Sequence, residues 1–186
     1  AQRHYGDVLE KNGGNDTSGT AFDFGALALG STVSIGFDAT DAVVAATDVS
    51  FVSIDDNSDV DFFSFTINEL AEITIDLTPV GPTYNEGAQG GTQTSFVASA
   101  LSNLTLRLFD TDGTSLLEFA DNTGLGGMEQ IIEELLAGTY FVQVAGLNNM
   151  IQMYQLDLTA GPVPVPGAAL LAMIGGGLLL APRRGE

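Results

Sequence analysis

Apolar and polar residues alternate with a period of two along most of the chain. The alternation is nearly perfect over residues 71–77 and clear over residues 60–67, and it is typical of a strand with one buried face. Similar short segments, each bounded by glycine, asparagine or aspartate, lie at residues 32–37, 49–54, 104–109, 115–119, 139–144 and 151–158. Eight or so short strands in about 140 residues predict an all-β fold, a two-sheet antiparallel β-sandwich.

The segments between the predicted strands differ in what they indicate. Asp110-Thr-Asp-Gly113 predicts a tight hairpin, because aspartate and glycine tolerate the positive φ angles of such a turn. Residues 78–95 are rich in glycine, threonine and glutamine and predict the longest loop. Residues 128–136 fit a helix or a strand; we favour the strand, because it runs directly into the Ala137-Gly138 turn.

The two ends of the chain differ from its body. Residues 1–20 are polar and turn-rich and predict an extended N-terminal segment, whereas residues 21–160 hold the predicted sandwich. Residues 161–186 form a tail with a proline-containing spacer, an uncharged apolar run and an arginine pair. We expect a short hydrophobic helix in the apolar run.

The apolar run at residues 167–181 is short for a membrane anchor. As a helix it would rise about 22 Å, against a hydrocarbon core of roughly 30 Å, and its consecutive glycines disfavour a helix by roughly 1 kcal/mol each. It fits either a sorting signal that a membrane protease removes or a helix that packs against copies of itself. Small residues at every fourth position, Ala168, Ala172 and Gly176, would let such helices approach closely.

Charge and composition exclude several classes of partner and chemistry. The 24 acidic residues outnumber the five basic ones, which gives a net charge of −19, and such a surface repels nucleic acids and anionic lipid headgroups. The chain has no cysteine, and its only histidine, His4, lies in the N-terminal segment. A thiol nucleophile is therefore excluded, and a Ser-His-Asp arrangement would have to recruit the terminus. We expect a protein that is not an enzyme and does not bind nucleic acid.

The densest group of carboxylates comprises Asp55, Asp56, Asp59 and Asp61. Oxygen ligands at alternating positions of a turn suit calcium, which takes about six to eight oxygens; the alternative is a solvated acidic loop. A second group contains Asp110, Asp112 and Asp121, and turn formation explains its first two members.

Four segments together carry a family likeness. They are Asp59-Val-Asp-Phe-Phe-Ser-Phe65, Ala71-Glu-Ile-Thr-Ile-Asp-Leu77, Leu104-Thr-Leu-Arg-Leu-Phe-Asp-Thr-Asp-Gly113 and Leu136-Ala-Gly-Thr-Tyr-Phe-Val-Gln-Val144. Over roughly residues 10–160, the chain resembles the bacterial pre-peptidase C-terminal domain. The resemblance implies a jelly-roll-like β-sandwich of a secreted protein, an accessory module that binds matrix or calcium and is not a catalyst.

In calcium-binding members of that family, residues of the N-terminal segment join the aspartates that precede the first aromatic strand. The matching residues of this chain are Glu10, Asn15, Asp16, Asp56, Asp59 and Asp61. The resemblance therefore implies Ca²⁺ as a cofactor with these six residues as its ligands.

The tail resembles the PEP-CTERM type of C-terminal sorting signal, in the variant with Val-Pro-x-Pro before the apolar segment. The matching residues are Val163, Pro164, Pro166, Arg183 and Arg184. Where that variant usually has alanine, this chain has Gly167. The resemblance implies transient association with the inner membrane, processing by an exosortase-like enzyme, and a secreted or cell-surface location in a Gram-negative bacterium.

Body and tail together favour a structural protein. We expect a non-enzymatic surface protein whose copies assemble through the tail into an extracellular filament or matrix layer. One alternative is an exosortase-sorted export substrate that is released to bind exopolysaccharide. Another is an accessory binding module that calcium stabilises.

Overall fold

The computed structural model describes residue 9 and residues 14–40 and 48–164. In this part of the chain the regular elements are β-strands, apart from two short 3-10 turns at Ser18–Thr20 and Phe37–Thr40. The strands are β1 (Phe22–Leu27), β2 (Thr32–Ile35), β3 (Val52–Ile54), β4 (Val60–Ile67), β5 (Ala71–Val80), β6 (Thr83–Glu86), β7 (Thr94–Val97), β8 (Leu104–Phe109), β9 (Leu116–Ala120), β10 (Glu129–Leu135), β11 (Gly138–Gly146) and β12 (Gln152–Gly161).

The strands pack as two sheets and one separate ribbon. Sheet 1 has the order β1-β4-β11-β8-β9, and sheet 2 has the order β10-β5-β12-β2, with β3 also paired to β12. β6 and β7 form the separate two-stranded ribbon. The all-β sandwich that the sequence predicts is confirmed. The expectation of a wholly antiparallel sandwich is wrong at one edge, because β1 pairs with β4 in parallel.

Inward-facing positions of the strands supply the core. Along β5 and β12 nearly every second side chain is buried, as the period-two pattern predicts. The wholly buried side chains include Phe63, Phe65, Ile73, Ile75 and Leu77. Burial of each such side chain stabilises the fold by about 1.5–3 kcal/mol.

The alternation along the chain does not predict β1. Its register against β4 shifts between Asp23 and Ala26, where Gly25 has a φ of 77°. A bulge of this kind changes the side of the sheet on which the following residues lie. The strand therefore lacks an uninterrupted period of two.

Three connecting segments can be compared with their predictions. The strand predicted at residues 128–136 is confirmed, because β10 pairs with β5 along its whole length. The predicted hairpin is confirmed as well, since the Gly113 amide donates to the Asp110 carbonyl at 2.8 Å between β8 and β9. The loop predicted at residues 78–95 is confirmed only in part: β5 continues to Val80, β6 and the start of β7 form strands, and residues 81–82 and 87–93 lie outside the strands.

The sandwich has two different ends. At the first, which we call the tail end, β12 finishes at Gly161 beside the turns at residues 28–31, 68–70 and 136–137. At the other, which we call the ribbon end, β3 finishes, β12 begins and the β6–β7 ribbon leaves the body. β5 runs between these ends over ten residues, a distance of about 33 Å.

Part of the sequence-based expectation lies outside the described residues. This holds for Glu10 and for the tail beyond residue 164, including its expected helix. The tail residues concerned are Pro166, Ala168, Ala172, Gly176, Arg183 and Arg184. Within the described ranges, none of the helical segments has the length and apolar character needed to cross a membrane. The division into residues 1–20, 21–160 and 161–186 stays a prediction.

Candidate functional site

The lead-in, which we define as residues 14–21, is attached to the start of β4. The Phe62 amide donates to the Asn15 carbonyl at 2.7 Å, and the Asn15 side-chain amide donates back to the Phe62 carbonyl at 3.2 Å. Asn15 is only 2% exposed. The lead-in thus occupies the edge of β4 just before β1 begins to pair at Phe63.

The lead-in then crosses the outer face of sheet 1. Its 3-10 turn contacts β4, and a Cβ atom added to Gly113 would lie 2.8 Å from the Ser18 Cβ, which shows how closely the two segments approach. The ring of Phe62 packs 5.8 Å from that of Phe109. Although Phe62 points away from the core, it is only 8% exposed.

The acidic loop between β3 and β4 is held together by its own carboxylates. The Asp59 carboxylate accepts a hydrogen bond from the Asp55 amide at 2.7 Å. The Asp56 carboxylate accepts from the Ser58 amide at 2.7 Å and from the Ser58 hydroxyl at 2.6 Å. These bonds, the hydroxyl bond first, lower the pKa of Asp56 below its ordinary value of 3.8. Aspartates used in this way fix a turn.

Asp61 has a different position from the rest of the acidic loop. Its side chain points into the interior and is fully buried, and its Oδ2 accepts a hydrogen bond from the Tyr154 hydroxyl at 2.5 Å. Tyr154 lies on β12 of the opposite sheet and is also fully buried. Asp61 therefore connects the two sheets.

The described members of the predicted calcium set are only partly brought together. Asn15 bonds the backbone of Phe62, which follows Asp61. Asp16 is exposed. Asp56 and Asp59 accept hydrogen bonds from within their own loop. Among the described residues no three acidic or histidine side chains are grouped closely enough to share a metal ion. The oxygen-only donor set fits calcium chemically, and Asn15 Oδ1 is buried and accepts no hydrogen bond within the described part. The calcium site stays a prediction.

The second predicted acidic group is divided by the fold. Asp110 and Asp112 lie in the β8–β9 turn, where Asp112 accepts hydrogen bonds from Thr114 and Ser115. Asp121 follows β9 at the other end of β8, where it accepts a 2.9 Å bond from the Asn103 side chain. The three carboxylates therefore do not form one cluster.

The tail end carries exposed leucines around the point where β12 finishes. Leu29, Leu70 and Leu136 are 41%, 50% and 69% exposed, and we call them the leucine rim. The Gly30 amide donates to the Ala160 carbonyl at 2.6 Å, which places the Leu29 turn beside the end of β12. A cavity of about 170 Å³ at this end is lined partly by Leu27, Leu29 and Ile67. Val163 and Pro164 follow the end of β12 closely in the sequence.

At the ribbon end, the base of the β6–β7 ribbon is fixed by Gln152. This fully buried side chain accepts hydrogen bonds from the Leu101 and Ser102 amides at 2.8 and 3.2 Å. Its amide nitrogen donates to the Met153 carbonyl at 2.8 Å and lies 3.2 Å from each of the carbonyls of Val80 and Ala98. The only sequence signal for this role is a polar residue at an inward-facing position of β12.

The ribbon itself carries an aromatic pair. Tyr84 and Phe96 lie opposite each other on β6 and β7, and their ring centroids are 5.0 Å apart. Tyr84 is 41% exposed. Because phenylalanines elsewhere fall at core spacing, sequence reasoning does not separate this pair from the core.

Two layers of sheet with a buried core between them place the chain in the class of all-β sandwiches. No family model and no curated protein matches it. Among solved structures it is similar to the pre-peptidase C-terminal domain of a collagenase from Bacillus anthracis, with 14% identity and a TM-score of 0.42. The match covers 75% of this chain and 94% of that one. The sequence resembles the same family, but a similarity of this size carries no functional assignment.

Proposed function

We propose that this chain is a secreted, non-enzymatic β-sandwich module whose copies assemble through the C-terminal tail into an extracellular filament or matrix layer. The observation that carries the proposal is the leucine rim around the end of β12. Exposed apolar groups at one end of a sandwich favour an interaction surface there. The apolar run at residues 167–181 follows shortly after this rim in the sequence.

Charge supports assembly at that end. With a net charge of −19, copies repel one another over most of their surfaces. An apolar contact that removes leucines and the uncharged tail from water offsets this repulsion, at about 25 cal/mol per Å² of apolar surface buried. Added salt screens the repulsion and favours the assembled form.

Electron microscopy of the full chain tests the proposal. We expect polymers from the unchanged protein and none after deletion of residues 162–186. Replacing Leu29, Leu70 and Leu136 by serine together is expected to weaken assembly. The matched control replaces Leu147 and Met150, which are 51% and 46% exposed between β11 and β12 at the opposite end, and is expected to leave assembly unchanged. Polymers formed without the tail contradict the proposal.

The tail's route to the surface is part of the same proposal. Its PEP-CTERM likeness suggests transient association with the inner membrane and contact with an exosortase-like enzyme. Mass spectrometry of the secreted protein tests whether the tail is removed. An intact Glu186 supports assembly through the tail, whereas a chain that ends before the apolar run contradicts it.

We further propose that calcium stabilises the lead-in. The supporting observation is Asn15 Oδ1, a buried oxygen that accepts no hydrogen bond among the described residues, next to an acidic loop. A ligand present at 100 times its Kd stabilises a fold by about 2.7 kcal/mol, so chelation should lower Tm. The Asn15→Leu variant should lose the response, and the Asp121→Asn control should keep it. An unchanged Tm on chelation contradicts a bound calcium.

A further inference from the structure

One side of the sandwich has a groove between its two sheets. At this side β1 is the edge of sheet 1 and β2 is the edge of sheet 2, and within the described ranges each pairs with one strand only. Both strands line a cavity of about 560 Å³, which we call the side groove. Its apolar lining consists of Phe22, Phe24, Val33, Ile35, Val49 and Phe51, with Leu9 beside them. The groove reaches the core, because Phe24, Val33 and Ile35 pack against it.

The few polar groups that line the side groove are bonded within the protein. The Asp23 carboxylate accepts from the Gly25 amide at 2.8 Å, and the Ser50 hydroxyl accepts from the Gly36 amide at 2.9 Å. The Ser34 hydroxyl donates to a carboxylate of β12. What the groove offers to a partner is therefore apolar surface beside the edges of two strands. An extended apolar segment fits both features.

The C-terminal tail has the composition of such a segment. From Leu158 to Pro182 the chain contains no charged residue, and the apolar run occupies residues 167–181. The N-terminal segment is a poorer match. Leu9 lies between Asp7 and Glu10 in the sequence, so that segment supplies little apolar surface beyond this leucine and Val8.

The tail leaves the sandwich in a direction that favours a neighbouring copy. β12 finishes beside the start of β2, where the Ala160 amide donates to the Ser31 carbonyl at 3.0 Å. Residues 162, 164 and 166 are prolines, which fix their own φ and keep each preceding residue extended. At about 3.1 Å per residue, this spacer carries the chain about 15 Å beyond β12. The chain's own side groove lies in the opposite direction, because Val33 and Ile35 pair with Leu158 and Leu156, back along β12.

We propose that the side groove is the acceptor site for the apolar run, residues 167–181, of a neighbouring copy. The inference rests on the proposed assembly through the tail and names the surface that receives it. Each copy donates one tail and accepts another, so two different surfaces meet at every contact. Such head-to-tail contacts build a filament when they do not close into a ring. Leu29, in the turn that joins β1 to β2, connects the groove with the leucine rim.

Cross-linking between copies tests the site, because the chain has no cysteine of its own. One variant is Val49→Cys, at a groove position that is 74% exposed. The second is Ala172→Cys in the tail, and the experiment is repeated with Ala168→Cys and Ala181→Cys. The groove variant and a tail variant are mixed under assembly conditions and oxidised mildly, and mass spectrometry identifies the linked peptides. We expect position 49 to link to at least one tail position of another copy.

The control is Leu116→Cys, which is 52% exposed on β9 at the opposite edge of sheet 1. Docking brings two thiols to a high effective concentration, so the link at position 49 should exceed that of the control roughly tenfold. A link no stronger than the control, as when the chain's own residues 41–47 fill the groove, overturns the inference. A link formed within single chains of the double variant Val49→Cys/Ala172→Cys at high dilution overturns it as well.

Electron microscopy of the same samples separates this inference from the proposed function. Polymers without the link at position 49 contradict the side groove as acceptor and leave assembly through the tail intact. The link without polymers supports the groove and contradicts the filament or layer. Absence of both contradicts both.

Discussion

The Tyr154 hydroxyl donates a 2.5 Å hydrogen bond to the carboxylate of Asp61 across the interior, from one sheet to the other. Both side chains are fully buried. Burying a carboxylate is costly unless hydrogen bonds compensate it. The bond is therefore important to the stability of the sandwich at its ribbon end.

The first prediction concerns this bond. Tyr154→Phe removes the donor and keeps the ring that packs edge-on against Phe63. Hydrogen bonds to charged groups contribute about 1.5–3 kcal/mol, so we expect the free energy of unfolding to fall by that amount in urea titrations. Tyr84→Phe, which changes a partly exposed hydroxyl, is the control and should cost far less. A loss for Tyr154→Phe no greater than that of the control would falsify the role of the bond.

The second prediction concerns acid stability. Bonds from the Ser115 hydroxyl and amide and from the Thr114 amide hold the pKa of Asp112 well below its ordinary value of 3.8. Because the folded-state pKa is lowered, the stabilisation is present above the unfolded-state pKa and is lost as pH falls towards the folded-state value. Ser115→Ala removes the largest cause.

We expect the titration midpoint of Asp112, followed by NMR, to rise in Ser115→Ala. At neutral pH the unchanged protein should have a higher free energy of unfolding than this variant. The difference should shrink as the pH falls below about 4. Ser95→Ala, a serine change far from Asp112 on the ribbon, is the control. An Asp112 midpoint that stays the same in Ser115→Ala contradicts the assignment.

The sheets were largely predictable because their inward positions repeat with a period of two. β5 and β12 follow that rule, and even the ambiguous segment at β10 was resolved by its approach to a turn. β1 was not predictable because the bulge at Gly25 breaks the alternation. The β6–β7 ribbon was not predictable because exposed strands need no apolar face, and their composition matches that of a loop.

The candidate sites were less predictable than the fold. Acidic residues could be recognised as possible ligands, but sequence alone did not show that Asp61 bonds Tyr154 or that Asp56 bonds Ser58. The role of Gln152 depends on four backbone groups that lie about 50 to 70 residues away in sequence. Hydrogen bonds between residues so far apart in sequence depend on the tertiary fold, so no local sequence pattern indicates them.

The third prediction concerns the attachment of the lead-in. Gly113 has a φ of 67°, and an added Cβ would meet Ser18 at 2.8 Å. Gly30→Ala is the matched control, because its φ is 81° and nothing lies within 4 Å of its added Cβ. Both changes carry a positive-φ cost of about 1–2 kcal/mol. Only Gly113→Ala should also displace the lead-in, which limited proteolysis at residues 14–20 would detect. Equal cleavage in the two variants contradicts this close contact.

The last prediction concerns Gln152. Gln152→Met keeps the length of the side chain but removes the partners of the Leu101 and Ser102 amides and of the Val80 and Ala98 carbonyls. Each buried group left unsatisfied costs about 1–3 kcal/mol, so we expect a loss of at least about 3 kcal/mol in the free energy of unfolding. Gln155→Met, on the outer face of the same strand, is the control and should cost little. Hydrogen exchange should also become faster at the Leu101 and Ser102 amides in Gln152→Met alone. Unchanged protection of those amides would show that Gln152 does not hold the base of the ribbon, and the fixed direction of the ribbon would then need another cause.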